Sequence, residues 1–339
     1  MDLWLTIVLV LLTGGLIFWP RHGVLPRWRE ARRLADRVRR EDALKHILKR
    51  EANGQAPSVE GIAGLLQLKP NAVAALIAQM ERGGLVTYLG GQLRLTPTGR
   101  ELALHIVRTH RLWESYLADQ TGIAEVDWHR QADRQEHLLT TQETEALAAR
   151  LGHPTRDPHG DEIPTRTEDL RASSGSSLNA ATPGEAMRIE HIEDEPSTVY
   201  SQLVAAGLRA GMKVVVIEKD AQRIRFWADG NAHVLAPSLA HNIEVVPQPD
   251  LKADDVYAER FLSQLKPGER ARVLGLSPAC RGAERRRLLD LGFVPGSELE
   301  VEMVSPGGDP TAYRVRGSVI ALRRDQANLI RIAPEEAAA

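Results

Sequence analysis

Cysteine is nearly absent from this chain of 339 residues: Cys280 stands alone. That excludes an internal disulfide framework and a cysteine-rich zinc module, and it fits a reducing compartment. A large excess of charge of either sign is also missing. The formal net charge is −2, so no global basic surface for nucleic acid exists and any such surface must be local. No paired nucleophile and base, phosphate-binding glycine loop or dinucleotide fingerprint occurs, so the chain does not read as an enzyme. What remains, 43% hydrophobic and 26% charged residues, is ordinary for a globular protein of two or three domains.

The richest stretch is Trp128 to His137, WHRQADRQEH. Asp133, Glu136 and His137 fall at i, i+3 and i+4 and share one helical face, with His129 one turn earlier. Upstream, RTHRLWESYL places His110 and Glu114 at i and i+4. Carboxylate and imidazole donors without thiolate suit Fe(II) or Mn(II), and zinc is also compatible. His105, His153, His159, His191, His233 and His241 have no second ligand at helical spacing and read as surface or structural residues.

At the N-terminus, Leu3 to Trp19 is uncharged and apolar, near the lower limit for crossing a bilayer core of about 30 Å. Asp2 in front, without Lys or Arg, and the lack of a small-residue cleavage site favour an uncleaved anchor over a cleaved signal. Arg21, Arg27, Arg29, Arg32, Arg33, Arg37, Arg39 and Arg40 follow, which by the positive-inside rule places the rest of the chain in the cytoplasm and could touch anionic lipid headgroups. The expected location is therefore the inner membrane, crossed once.

From Glu41 to Arg100 the pattern is three helices and a hairpin. EDALKHILKREANG ends on Asn53 and Gly54, Ser58 can cap VEGIAGLLQL, and the next helix opens with Pro70 and stops at Gly83 and Gly84. A hairpin around Gly90 and Gly91 then reads as the wing of a winged helix-turn-helix. The recognition helix offers Lys69, Asn71, Gln79 and Arg82 to DNA, while Ala74, Ala75 and Ala78 occupy the face that would meet base edges.

NAVAALIAQMERGGLVTYLGGQLRLTPTGRELALHIVRTHRLWESYL, followed by WHRQADRQEH and DPHGDEIP, resembles the metal-dependent repressors of the diphtheria toxin repressor family. The resemblance covers about Glu41 to Pro164. It implies a homodimer that binds operator DNA when metal is bound, with a primary site of Asp42, Asp133, Glu136 and His137 and an ancillary site of His110, Glu114 and His129. Glu195, from the C-terminal region, is a further candidate for the ancillary site. Iron-type members carry methionine and cysteine where Asp42 and Asp133 stand, and manganese-type members carry carboxylates. Manganese-type members add a glutamate where this chain has Lys45.

Thr165 to Thr182, with ASSGSSLNAAT, reads as a linker. Beyond it lies an internal repeat. PGEAMRIEHI pairs with PGERARVLGL, QLVAAGLRAGMKVVVI with RLLDLGFVPGSELEVE, and HNIEVV with ANLIRI. Short alternating strands between glycine turns suit two small SH3-like β-barrels, and both repeats resemble FeoA-type modules.

The expected architecture is thus α+β and multidomain: an anchor over 1–20, a basic segment over 21–40, the winged helix over 41–100, an all-helical metal-binding and dimerisation domain over 101–164, a linker over 165–182, and FeoA/SH3-like domains over 183–248 and 260–333. Two functions fit. One is a membrane-tethered, metal-dependent transcription regulator; the other is a membrane-anchored, metal-sensing accessory of a ferrous iron transporter that acts without DNA.

Overall fold

A computed structural model of the chain describes residues 24–165, 170 and 175–334. The apolar stretch Leu3–Trp19 lies outside the described residues; among those described, no single helix is long and apolar enough to cross a membrane. The chain divides into two compact units, residues 1–108 with 164–172 and residues 109–163 with 173–339.

The first unit is built on α1 (Val24–Ala52), α2 (Val59–Leu66) and α3 (Pro70–Arg82), followed by the hairpin β1 (Val86–Leu89) and β2 (Gln92–Leu95). The sequence pattern starts the winged domain at Glu41, but α1 runs unbroken through that point. The reason is local: no glycine or proline occurs between Pro26 and Gly54 to stop it. Ala43, Leu44, Ile47 and Leu48 bury one face of α1 against Ile62, Val73, Ile77 and Met80. Ser58 caps α2 by accepting a 3.0 Å bond from the Gly61 amide. Gly90 and Gly91 both take positive φ, as the two-residue turn of a twisted hairpin requires.

The threonine of TPTG then starts α4 (Pro97–Gln120): Thr96 Oγ1 accepts from the Gly99 amide at 3.0 Å. Gly99 is obligatory here, because a Cβ would sit 1.8 Å from the Leu85 carbonyl oxygen. Glu51 ties the wing back to α1 by pairing with Arg100 and accepting the Leu95 amide at 3.1 Å.

The second unit takes α4 from Thr109 onward, with α5 (Trp128–Gln135) and α6 (Thr141–Arg150), which carries a Thr140–Glu143 capping box. Leu112, Leu147, Ala148 and Ile163 form one small core there, and Leu117, Ala118 and Trp128 another.

Two sheet repeats follow. The first contains β3 (Ser176–Ser177), β4 (Ala186–Ile192), helix α7 (Ser197–Ala205), β5 (Lys213–Lys219), β6 (Ile224–Ala228), β7 (Asn231–Leu235), the short helix α8 (Pro237–Ala240) and β8 (Ile243–Pro247). After the connector helix α9 (Ala253–Tyr257), the second contains β9 (Arg260–Phe261), β10 (Arg270–Leu276), helix α10 (Gly282–Asp290), β11 (Glu298–Val304), β12 (Thr311–Val315), β13 (Ser318–Leu322), α11 (Arg324–Ala327) and β14 (Ile330–Pro334). The strand orders are the same, 3-8-4-5-6-7 and 9-14-10-11-12-13, all antiparallel.

Even the irregularities repeat: Ile189/His191 in β4 matches Val273/Gly275 in β10, and Val216/Glu218 matches Val301/Met303. Each sheet closes over its own core, with Phe226 fully buried in the first and Tyr313 and Phe293 in the second. Cys280 lies buried in the second core, as a small apolar side chain would.

Two expectations need correction. Among the described residues the strand pairing leaves β3 and β7, and likewise β9 and β13, at the edges, so hydrogen bonds between them do not close the small barrels. The linker also ends earlier than its composition suggests. Ser176 pairs with Val245 of β8, and Leu178 is fully buried, so the end of the Ser/Ala-rich stretch belongs to the first repeat.

Candidate metal centre

Helix periodicity places the first donors. His110 and Glu114, one turn apart on α4, are both buried, with Nε2 and Oε1 3.0 Å apart. α5 brings His129 Nδ1 to 3.2 Å from His110 Nε2 and 3.3 Å from Glu114 Oε1. His110, Glu114 and His129 are therefore gathered at one point.

The other nitrogen of His110 faces a second group: Nδ1 is 2.5 Å from Glu136 Oε2 and 3.4 Å from Asp133 Oδ1. Glu136 lies just past the end of α5 but keeps helical dihedrals, so the i, i+3, i+4 relation survives into the final turn. His137, also buried, has Nε2 3.6 Å from Glu136 Oε1. Asp42 is half-buried on α1 and belongs to the first unit. Lys69 stands at the start of α3, and Asn71, Gln79 and Arg82 lie along it; all four are exposed, as are Ala74 and Ala75.

Glu195 is not the acidic residue that reaches furthest in. Its Oε1 lies 3.5 Å from His129 Nε2 on a side chain 63% exposed, whereas Asp194 Oδ2 lies 2.7 Å from His129 Nδ1 on one 15% exposed. The Glu-Asp-Glu run signalled acid at this place, but only the backbone of the β4–α7 loop selects which carboxylate points inward.

His159, read from the sequence as a surface or structural histidine, is not at the surface. It is 3% exposed, its Nε2 lies 3.6 Å from Glu114 Oε1 and 3.9 Å from Asp194 Oδ2, and neither ring nitrogen has a hydrogen-bond partner. Its loop is rigidly built. Asp157 Oδ1 accepts the amides of His159, Gly160 and Asp161, each at 2.9 Å. The Ile192 amide of β4 bonds to the His159 carbonyl at 3.0 Å. Gly160 has φ +101, and a Cβ there would meet the Glu190 carbonyl oxygen at 1.8 Å. The DPHGD motif was visible in the sequence, but its histidine has no partner at any local spacing.

These groups fit a divalent cation. Glu114, His159 and Asp194 can each offer one donor atom within 4.8 Å of the others, as can His110, Glu114 and His129, and His110, Asp133 and Glu136. A buried imidazole that makes no hydrogen bond is costly, and an ion between His159 and the two carboxylates would satisfy its nitrogen.

Without an ion, protons do part of that work. Burial alone would raise Glu114, but the charges of His110 and His159 and hydrogen bonds from His110 and His129 hold it well below the usual carboxylate range. Burial opposes protonation of His159, yet Glu114, Asp157 and Asp194 together push it up to about 10. His129 is raised in the same way, against burial, by Asp194, Glu114 and Glu195. Asp157 is pushed up to about 7 by burial and by the negative charges of Asp161 and Glu114.

Residues 96–165 match the iron dependent repressor metal binding and dimerisation domain, and residues 176–247 and 261–334 each match the FeoA domain. The diphtheria toxin repressor of Corynebacterium diphtheriae is 31% identical over 213 residues, covering 60% of this chain and 94% of that protein. A manganese-dependent transcriptional repressor solved with manganese is 27% identical with a TM-score of 0.56, covering 62% of this chain and 100% of its own. A separate match joins 25% of this chain to 19% of a probable metal transport system membrane protein of Chlamydia trachomatis, 43% identical over 84 residues. With nearly the whole of the Corynebacterium repressor covered at 31% identity, and with His110, Glu114, His129, Asp133, Glu136, His137 and His159 all lying within the matched metal-binding domain, the chain belongs to the diphtheria toxin repressor family.

Proposed function

We propose that the chain is a metal-dependent transcriptional regulator, homodimeric and tethered to the inner membrane by Leu3–Trp19, that binds operator DNA when Fe(II) or Mn(II) is bound. The observation that carries the reading is the buried cluster of histidines and carboxylates whose donor atoms converge within the second unit. His110, Glu114, His129, His159 and Asp194 would hold one ion. Asp133, Glu136 and His137 would hold a second, and Asp42 keeps the role that the family resemblance assigns it.

A divalent ion would supply positive charge where several carboxylates are buried together. The donors are oxygen and imidazole only, which suits Mn(II) and Fe(II); zinc accepts the same set. His110, whose two nitrogens face the two groups, links them. DNA binding is supported by the exposed Lys69 at the N-cap of α3 and by Asn71, Gln79 and Arg82 along it. For the ion to act as a switch it must bind the DNA-competent arrangement more tightly than the alternative.

A gel-shift titration against the protein's own promoter region tests this. A shift that requires Mn(II) or Fe(II), and that disappears when Glu136 and His137 are both replaced by alanine, is the expected result. A shift indifferent to either ion would sink the proposal. Arg82→Ala should weaken the shift while metal uptake stays intact.

The partial identity to a metal transport membrane protein favours one second reading, an anchored accessory of an iron transporter that does not use DNA. Cross-linking the native anchored protein in cells separates the two. Recovery of promoter DNA supports the regulator, and recovery of a transporter without DNA supports the accessory.

A further inference from the structure

The second repeat contributes no acidic residue to the donor groups above, yet it is joined to both elements that frame them. The loop between β4 and α7 in the first repeat carries Glu193, Asp194 and Glu195; the corresponding loop between β10 and α10 carries Ser277, Pro278, Ala279, Cys280 and Arg281. Arg281 Nη2 donates to the carbonyl of Pro158 at 3.0 Å, and its Nε lies 3.3 Å from the Pro278 carbonyl. Pro158 immediately precedes His159, whose own carbonyl is taken by the Ile192 amide of the first repeat. The two equivalent loops thus meet the same short segment.

A second joint lies at the end of α4, the helix that carries His110 and Glu114. Arg286 Nη1 donates to the Asp119 carbonyl at 2.7 Å and to Gln120 Oε1 at 2.9 Å, where the helix C-terminus exposes unpaired carbonyls. Gly282 takes φ +58 and lies so close that a Cβ would sit 2.9 Å from the Ala118 carbonyl oxygen. Ser277 Oγ also donates to Asp229 Oδ2 of the first repeat at 2.6 Å.

From these contacts we infer that the second repeat braces the metal centre, with Arg281 as a positioning residue that fixes the His159 loop and Arg286 as its companion on α4. The inference rests on the metal reading of that cluster. Its consequence is linkage: whatever draws the second repeat away from α4 lowers metal affinity, and metal binding holds the repeat in place. The His159 ring nitrogens make no hydrogen bond, so its approach to Glu114 and Asp194 depends on where the loop backbone places it.

The test uses the full-length chain in detergent, with free Mn(II) followed by electron paramagnetic resonance and residues 157–161 by hydrogen exchange. Arg281→Ala should weaken Mn(II) binding about tenfold, in line with losses on removing groups that orient metal ligands, and should speed exchange in the loop. Arg281→Lys, which keeps a charged donor, should return affinity to within about threefold of the parent. Unchanged affinity and unchanged loop exchange in a folded Arg281→Ala chain would overturn the brace. Should that variant fail to fold, Arg286→Ala decides: a loss of about twofold or more supports the inference, and parental affinity overturns it. If the parent takes up no Mn(II), the metal reading itself fails, and loop exchange in the variant still decides whether the brace exists.

Discussion

The two repeats have the same strand order and the same bulges, but their matching loops do opposite things. The β4–α7 loop delivers the carboxylate of Asp194 to His129, while the β10–α10 loop delivers the guanidinium of Arg281 to a backbone carbonyl beside His159. An identical scaffold therefore supplies a candidate ligand in one copy and a support in the other. The difference is that strand pairing and core packing depend on alternating apolar residues, which both copies keep, whereas loop chemistry is free to diverge.

The largest test of that contrast is in the backbone. Gly160→Ala drives a Cβ into the Glu190 carbonyl at 1.8 Å and forces a residue other than glycine to φ +101. It should cost at least about 3 kcal/mol in thermal unfolding, because neither backbone can move without breaking the loop. Gly282→Ala, with its closest approach at 2.9 Å and φ +58, should cost about 1–2 kcal/mol, so the first repeat is the more tightly seated. Equal losses at the two glycines would erase the distinction.

Next in size is Asp194→Asn. Removal of the charge that meets His129 at 2.7 Å should weaken Mn(II) binding on the order of a hundredfold, measured by titration with a colorimetric competitor. Parental affinity in this variant would return the first repeat to a purely structural role.

The pH dependence has a definite sign. His159 in the ion-free chain is raised from 6.5 to about 10, so it holds a proton at neutral pH that an incoming ion must expel. Metal affinity should rise with pH across that window, by about tenfold per unit for each proton released. The stability of the ion-free chain runs the other way: the share contributed by His159 is complete below pH 6.5 and is lost as pH climbs toward about 10. Calorimetric titrations in buffers of different ionisation enthalpy would count the protons. The smallest effect belongs to Glu195→Gln, whose carboxylate is 63% exposed; a change of less than about twofold in affinity is expected.

Periodicity carried much of the candidate site. His110 with Glu114, and Asp133 with Glu136 and His137, are related by helical turns, so their convergence could be read before any coordinates. The repeat and its strand pairs were legible for the same reason, since alternation and glycine turns are local signals. The start of the first repeat was not, because a two-residue strand and one buried leucine, Leu178, carry no period. The uninterrupted course of α1 through Glu41 could have been seen in the lack of a helix breaker, but the charge run in front of Glu41 suggested a boundary.

What the sequence determined by itself is whatever one element encodes: three helices and a hairpin with an exposed α3 face, two helical groups of oxygen and imidazole donors, and a doubled sheet module. Tertiary structure alone decided that Asp194 approaches His129 more closely and from a more buried position than Glu195, that His159 turns inward between Glu114 and Asp194, and that Arg281 closes on the loop beside it. Those residues sit on loops far apart in the chain, and no spacing rule relates them. They meet only because two sheets, each folding over its own core, place those loops there.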